Sequence, residues 1–436
     1  MTKTESESTS KPFQIRAILP VFFVVVIDLM GFGIVLPLLP FYASEFGVGA
    51  VQIGLLYSVF SLMQLIFSPI WGGWSDRIGR RPIMLLSTFG AAISYVIFAF
   101  AGSFWMLMAS RVLAGIMGGN ISTAQAYIAD VTDKENRARG MGMIGAAFGI
   151  GFVVGPALAT LFLQPIVGEA VGSLGFEALS VWMLAHPFVM PGLVASFLSF
   201  ASFLFVWAKL PETVQKRSEA TPEYRRPSLF SPAFWRQLRE RTALDSSGVS
   251  RGIIIPLFAA FFLLSFGEAS LYSAFPLFAE ENIGMNAAQV GVQFFYIGLI
   301  AVFIQGALIR PLTRRFGEQT IFLTGNVFMV LGLAGIAFST TLTTLSLTIG
   351  LLAIGKSLNT PTITSLISQE SDEEHYGATM GMAQGFSGLG RMVGPTWGGA
   401  LYAVSIGLPF LATAGILSSV ILIAFWIMRK TRIQPA

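Results

Sequence analysis

With 436 residues, of which 54% are hydrophobic and only 11% charged, and a mean hydropathy of +0.71, the chain is excluded from the soluble globular class. Its net charge of +4 does not indicate nucleic-acid binding, because the basic residues are placed as membrane topology places them. Cysteine is absent, which rules out disulfides and thiol chemistry.

In chain order, residues 1–16 are rich in Ser, Thr and Glu and lack an apolar core, so they read as a disordered cytoplasmic tail rather than a signal peptide. Twelve apolar stretches follow, each close to the ~20 residues that cross bilayer hydrocarbon. Spans 1 to 6 are expected at 17–39, 52–74, 82–101, 104–128, 139–163 and 187–209. Spans 7 to 12 are expected at 253–278, 288–309, 320–339, 342–366, 377–402 and 407–428. Apart from Arg111, Lys356 and Arg391, every Lys and Arg lies in a tail, in an even-numbered loop or, as Arg139 and Lys209 do, at the span end that borders one. Basic residues mark the cytoplasmic side, so both termini are expected in the cytoplasm and the chain in the cell (inner, cytoplasmic) membrane. The fold class is all-α integral membrane, with twelve transmembrane helices in two pseudo-symmetric six-helix bundles. The bundles are placed at 17–209 and 252–428, with a cytoplasmic loop at 210–251 and a tail at 429–436.

Two segments stand outside this plan. Residues 164–187 form a long outward loop without a basic residue, with room for a short interfacial helix around Leu174–Leu184. The segment 210–251 sets Phe230, Phe234 and Trp235 among arginines. It is either an amphipathic helix on the anionic inner leaflet or a solvated linker.

The two halves also resemble each other in sequence. Met141-Gly142-Met143, Gly149, Gly151, Val154, Gly155 and Pro156 recur as Met380-Gly381-Met382, Gly388, Gly390, Val393, Gly394 and Pro395, at a constant offset of 239 (380 − 141). Arg77-Ile78-Gly79 likewise faces Arg315-Phe316-Gly317. Internal repeats of this kind are how many secondary transporters are built.

The loop after span 2 reads Gly72-Gly73-Trp74-Ser75-Asp76-Arg77-Ile78-Gly79-Arg80-Arg81-Pro82. An acid among arginines at a helix end can make charge-assisted bonds to neighbouring helix termini. The string closely resembles the G-x-L-x-D-R-x-G-R-R signature of the major facilitator superfamily, with Trp74 where leucine is usual. That resemblance implies that Asp76, Arg77 and Arg80, on a turn permitted by Gly72 and Gly79, latch the two halves and set the inward/outward balance. Taken as residues alone, the string is a charged topology anchor, and both readings can hold.

In span 5, Gly142, Gly151, Gly155 and Pro156 resemble the antiporter signature of the superfamily's drug:proton branch, with Ala159 and Thr160 in place of its closing Gly-Gly. Span 11 has the complete form, through Gly390, Gly394 and Pro395 to Gly398-Gly399. Small residues allow close helix approach, and proline removes one backbone bond. Both stretches are therefore expected to be hinge and packing faces.

Span 1 carries Asp28 within Ile27-Asp28-Leu29-Met30-Gly31-Phe32-Gly33, and span 4 carries Arg111-Val112-Leu113-Ala114-Gly115. These strings resemble tetracycline efflux proteins and their multidrug relatives. An ionised carboxylate in hydrocarbon is costly unless paired or protonated, so Asp28 with Arg111 is expected to form the proton-coupling site. A permanent structural bridge is the alternative. Glu268 in span 7, near the repeat position of Asp28, is a second coupling candidate. Lys356 in span 10 and Arg391 in span 11 complete the intramembrane charges, and Asp28, Arg111, Glu268, Lys356 and Arg391 are the expected substrate contacts. The resemblance implies that spans 1, 4, 7 and 10 line the cavity. The cations either neutralise Glu268 or recognise an anionic or zwitterionic substrate.

Tetracycline exporters carry further intramembrane aspartates in spans 3 and 9. The aligned residues here are Ser94 and Met329, which do not titrate, so a metal–tetracycline cation fits poorly. The loop holding Glu370, Asp372, Glu373, Glu374 and His375 is expected to face Lys134, Arg137 and Arg139 as a cytoplasmic gate, with metal binding the weaker reading. His186, beside Pro187, shows no partner in sequence. There is no nucleotide-binding loop, metal-spaced His/Cys cluster or nucleophile–base pair, which argues against an enzyme or an ATP-driven pump. Expected partners are a small-molecule substrate, protons and the lipid bilayer, with no cofactor, metal or nucleic acid, and the resemblance implies a monomer. The expected function is proton-coupled export of an amphipathic small molecule by alternating access. The rival readings are export or flipping of a lipid-like or siderophore-like anion, and proton-coupled import of a small metabolite.

Overall fold

The computed structural model describes residues 15–132, 134–213, 251–371 and 376–432, and the side chains of 18–132, 140–213, 252–371 and 379–430. The first half consists of α1 (Ile15–Ser44), α2 (Ala50–Ile78), α3 (Arg80–Ala99), α4 (Phe104–Met117), α5 (Ile121–Val131), α6 (Lys134–Leu163), α7 (Pro165–Ser173), α8 (Glu177–Ala185) and α9 (Val189–Lys209). The second consists of α10 (Arg251–Ile283), α11 (Ala287–Phe303), α12 (Ile309–Phe316), α13 (Glu318–Ile336), α14 (Leu342–Gln369), α15 (Tyr376–Tyr402) and α16 (Leu408–Arg432).

Span 4 is split. A 3-10 turn at Gly118–Asn120 separates α4 from α5, where two glycines weaken the helix and an amide follows. Span 8 is split by a π turn at Ile304–Leu308 between α11 and α12. Eleven segments among the described residues are long and apolar enough to cross a membrane. The twelfth, α15, has the length at 27 residues, but eight glycines dilute its hydropathy. Most helices run past the expected span ends, because backbone hydrogen bonding continues into the polar first and last turns that hydropathy leaves out.

Prolines inside these helices free carbonyl groups that a membrane cannot solvate. Pro40 in α1 frees the carbonyl of Leu36, and the Tyr57 hydroxyl on α2 donates to it at 2.6 Å. Loops supply caps in the ordinary way. Ser103 accepts from the Met106 amide at 3.3 Å, and Asn286 with Gln289 forms a capping box at the start of α11.

Both halves use the same close packing. In the first, α1 lies on α6, and a Cβ at Gly155 would meet the Gly33 Cα and the Met30 carbonyl at 2.7 Å. In the second, α10 lies on α15, where a Cβ at Gly394 would meet Ala269 and the Ser270 amide at 3.0 Å. The halves meet through α2 on α15 and α6 on α11. Among the described residues, the tightest of these contacts lie toward the end that holds α7 and α8, the hairpin end. There Gly54 abuts Pro395, Gly399 abuts Ala50, Gly291 abuts Thr160, and Gly298 abuts Val153. Toward the opposite, tail end, a Cβ at Gly142, Gly145 or Gly381 would meet no atom of another helix within 4 Å among the described residues.

Candidate transport site

The second half gathers three of the expected charges around Glu268. The Lys356 ammonium on α14 pairs with Glu268 Oε1 on α10 at 2.5 Å, and the Tyr272 hydroxyl donates to the same oxygen at 2.6 Å. The pair is not sealed off, with side chains 30% exposed at Glu268 and 23% at Lys356. Arg391 on α15 acts on Glu268 electrostatically, while its Nη1 donates to Ser387 at 2.7 Å. Ser387 in turn bonds Ser265 at 2.7 Å, which ties Arg391 to α10. With Glu268 ionised, the cluster carries one positive charge in excess. Its opposite wall belongs to the first half: Lys356 lies 5.3 Å from the ring centre of Phe152 on α6, and Tyr57 stands 6.1 Å from Tyr272, ring to ring. A substrate seated here would touch both halves.

The first half keeps its two charges apart. Among the described residues no ion pair joins Asp28 to Arg111, so the alternative of a permanent bridge between them is not what this conformation holds. Asp28 Oδ2 instead accepts from the Asn120 amide at 2.6 Å, and its Oδ1 is buried without a partner. Arg111 is 2% exposed. It lies 5.2 Å from the Phe98 ring centre and 6.0 Å from that of Tyr95, and its Nη2 has no hydrogen-bond partner. Tyr95 is within electrostatic reach of both charges. An amide thus stands beside Asp28 and two aromatic faces beside Arg111, where each would otherwise have the other.

The loop after α2 is fastened within its own half. Arg80, 7% exposed at its side chain, pairs with Asp76 at 2.6 Å and with Asp130 at the end of α5 at 2.9 Å. Its Nη1 also donates to Ser75 at 2.6 Å. The Glu212 carboxylate, just past α9, accepts from the backbone N–H of Arg80 and Arg81 at 2.9 and 3.2 Å, where a helix N-terminus favours an anion. Gly79, at φ +109, takes a backbone conformation that a side chain would strain, and Glu212 fills the space where a Cβ would stand. Asp76 remains 64% exposed. The ion pairs from Arg80 to Asp76 and Asp130 thus run to residues of the first half.

Of the remaining expectations, Ser94 and Met329 are buried, at 0% and 2% exposure. His186 has partners after all: its Nδ1 lies 3.0 Å from the Trp182 carbonyl, and its ring stacks on Trp182 at 5.1 Å. The expected gate between 134–139 and 372–375 lies outside the described side chains, as does most of the central loop, 214–250. Among the described residues no group of acids and histidines could hold a metal ion. Sequence reasoning passed over Asn120, Tyr272, Phe152, Asp130 and Glu212. Only the Gly118-Gly119-Asn120 break carried a local signal, since an amide directly after paired glycines marks an interrupted helix.

A family model of the Major Facilitator Superfamily matches residues 21–310 and 257–436. The class C tetracycline resistance protein of Escherichia coli is 28% identical over 395 residues, covering 89% of this chain and 90% of that protein. The class G protein of Vibrio anguillarum is 30% identical over 388 residues, covering 88% and 90%. The crystal structure of the human organic anion transporter MFSD10 (TETRAN) superposes with a TM-score of 0.69 at 25% identity, covering 95% of this chain and all (100%) of that one. Two helical halves with a charged cleft between them, and relatives aligned over nearly their whole lengths, describe a multi-pass membrane transporter related to the tetracycline resistance proteins. The chain belongs to the Major Facilitator Superfamily.

Proposed function

We propose that the protein is a proton-coupled exporter of amphipathic small molecules that carry an anionic or zwitterionic group, working by alternating access in the cytoplasmic membrane with both termini inside. The observation that carries this reading is the Glu268–Lys356 pair with Arg391 beside it, facing Phe152 and Tyr57 of the other half. An anionic head group can pair with the cations, and an apolar body can lie on the aromatic wall. Tight contacts at the hairpin end and open glycine faces at the tail end fit a state that opens to the cytoplasm, from which rocking about the cleft would expose the other side. Asp28, held by one amide and otherwise unpartnered, supports a group that gains and loses a proton as its exposure changes.

The test uses proteoliposomes with an internal pH-sensitive dye, an imposed pH gradient and a panel of cationic, neutral and anionic amphiphiles. Proton release triggered by anionic compounds, and abolished by Asp28→Asn or Glu268→Gln, is the expected result. Substrate exchange with no proton movement for any compound would overturn proton coupling. A second reading, export or flipping of a lipid-like anion, is favoured by the excess positive charge of the cluster and by the similarity to a human organic anion transporter. Fluorescent anionic lipids in the same assay would move between leaflets under that reading and stay in place under the first.

A further inference from the structure

Helices α7 and α8 form a hairpin at the end of the molecule opposite the tails, and their packing is inverted relative to a water-exposed helix. Gly168 and Gly172, four residues apart on α7, face α8 so closely that a Cβ would meet Leu184 and the Ser180 hydroxyl at 3.0 Å. Small residues at this spacing allow close helix approach. Ser180 is 8% exposed, so the one neutral polar side chain of α8 is turned inward against glycine. The outward face consists of Leu179, Val181 and Trp182, exposed by 47%, 68% and 36%, together with Ala178 and Ala185. At the turn between the helices, Leu174 and Phe176 are 75% and 61% exposed. An apolar face of this extent marks an interaction surface.

We infer that this hairpin lies in the interfacial layer of the adjacent leaflet and that its partner is lipid. The face is continuous with the lipid-facing belt of the bundle: Trp182 sits 6.5 Å, ring to ring, from Phe100 at the end of α3. Phe100 and Trp105 at the start of α4 are 49% and 75% exposed at the same level, where aromatic side chains favour the membrane interface. Glu169 and Glu177 are the only charges between 164 and 187, and Glu177 begins α8 at the edge of the apolar face. Beneath the hairpin lies a cavity of about 130 Å³ lined by Phe162, Gln164, Met183, Leu184 and Met190. The hairpin thereby anchors α6 and α9, which it joins, to one leaflet while the halves move.

The chain has no native cysteine, so nitroxide labels can be placed singly at Leu179→Cys and Val181→Cys without altering the background. Phe197→Cys on α9, 70% exposed, serves as the lipid-facing control, and Thr340→Cys, in the exposed turn before α14, as the aqueous control. In nanodiscs, collision with oxygen should exceed collision with a water-soluble nickel chelate at both hairpin sites, matching Phe197→Cys and reversing at Thr340→Cys. A nickel-dominated ratio at the hairpin sites would place the face in water and overturn the inference. Low collision with both reagents would mean that protein covers the face, as in a dimer, and would overturn it equally.

Discussion

At Gly155 the first half brings α1 and α6 to backbone contact, and at Gly394 the second half does the same with α10 and α15, at positions 239 residues apart (394 − 155). The charges follow no such symmetry. Asp28 and Arg111 are held separately, by an amide and by aromatic faces, whereas Glu268, Lys356 and Arg391 form one linked group. Packing tolerates few solutions, since a helix crossing at this distance admits only small residues. Charge tolerates many, since an ion can be satisfied by an opposite ion, an amide or a ring. Duplicated halves can thus keep one framework and assign different chemistry to each side.

The largest effect is expected where the halves agree. Gly155→Leu and Gly394→Leu should each abolish folding, because several heavy atoms must enter a space already taken by neighbouring backbone, and overpacking by even fewer atoms costs about 1–3 kcal/mol. Expression yield and monodispersity in detergent measure this. A well-folded Gly394→Leu beside an unfolded Gly155→Leu would show that the framework is less symmetric than the contacts indicate.

The next largest effect separates the halves. Lys356→Met leaves Glu268 with Tyr272 and Arg391 in place of its ion pair and should abolish anion transport. Losing one partner of a fully buried pair costs about 3–5 kcal/mol, and the partial exposure of this pair lowers that figure. Lys356→Met combined with Glu268→Gln should recover the melting temperature without recovering transport. Arg111→Met breaks no ion pair to Asp28, so it should shift the melting temperature equally in the wild type and in Asp28→Asn, and a coupling between positions 28 and 111 would contradict the separation of the two charges.

The same contrast divides what the amino-acid sequence makes legible from what it does not. Hydropathy finds the helices, and the 239-residue offset finds the shared framework, because both depend on residue types that recur. Glu268, Lys356 and Arg391 stood out as charges inside apolar spans, and the fold brings them together. The partners of Asp28 and Arg111 were not legible. Asn120, Tyr95 and Phe98 are ordinary residues for a membrane helix, and their role arises only where α1, α3 and the α4–α5 break meet. Arg80 illustrates the same limit, since Asp130 and Glu212 reach it from 50 and 132 residues away.

Thr160 offers a more delicate comparison. It occupies the position of Gly399 in the other half (160 + 239). Gly399 abuts Ala50, whereas the Thr160 hydroxyl donates to the Ala288 carbonyl at 3.2 Å across the interface. Thr160→Gly removes one hydrogen bond, worth about 0.5–1.5 kcal/mol, and should shift the population toward opening at the hairpin end. Paired spin labels across α6 and α11 would read that as a longer distance, and an unchanged distribution would mean that the bond is not a clasp.

The smallest effect is expected at two matching turns. Gly47 and Gly284, both at positive φ, end α1 and α10. Two residues before each stand Glu45 in the first half and Asn282 in the second. Asn282 donates to the Ser339 carbonyl at 2.8 Å. Burial pushes the Glu45 carboxyl above the ordinary carboxylate range, and the nearby His186 opposes that shift in part. A carboxyl raised in the folded state binds its proton more tightly there than in the unfolded chain. Its contribution is therefore favourable at acid pH and is lost as pH rises through the folded value. Glu45→Gln should consequently melt as the wild type does in acid and slightly above it at neutral pH. The two melting curves, taken at both pH values, check this. A variant less stable at neutral pH would show that attraction to His186 outweighs burial, and that the first half gains from its charge at the turn where the second half uses an amide.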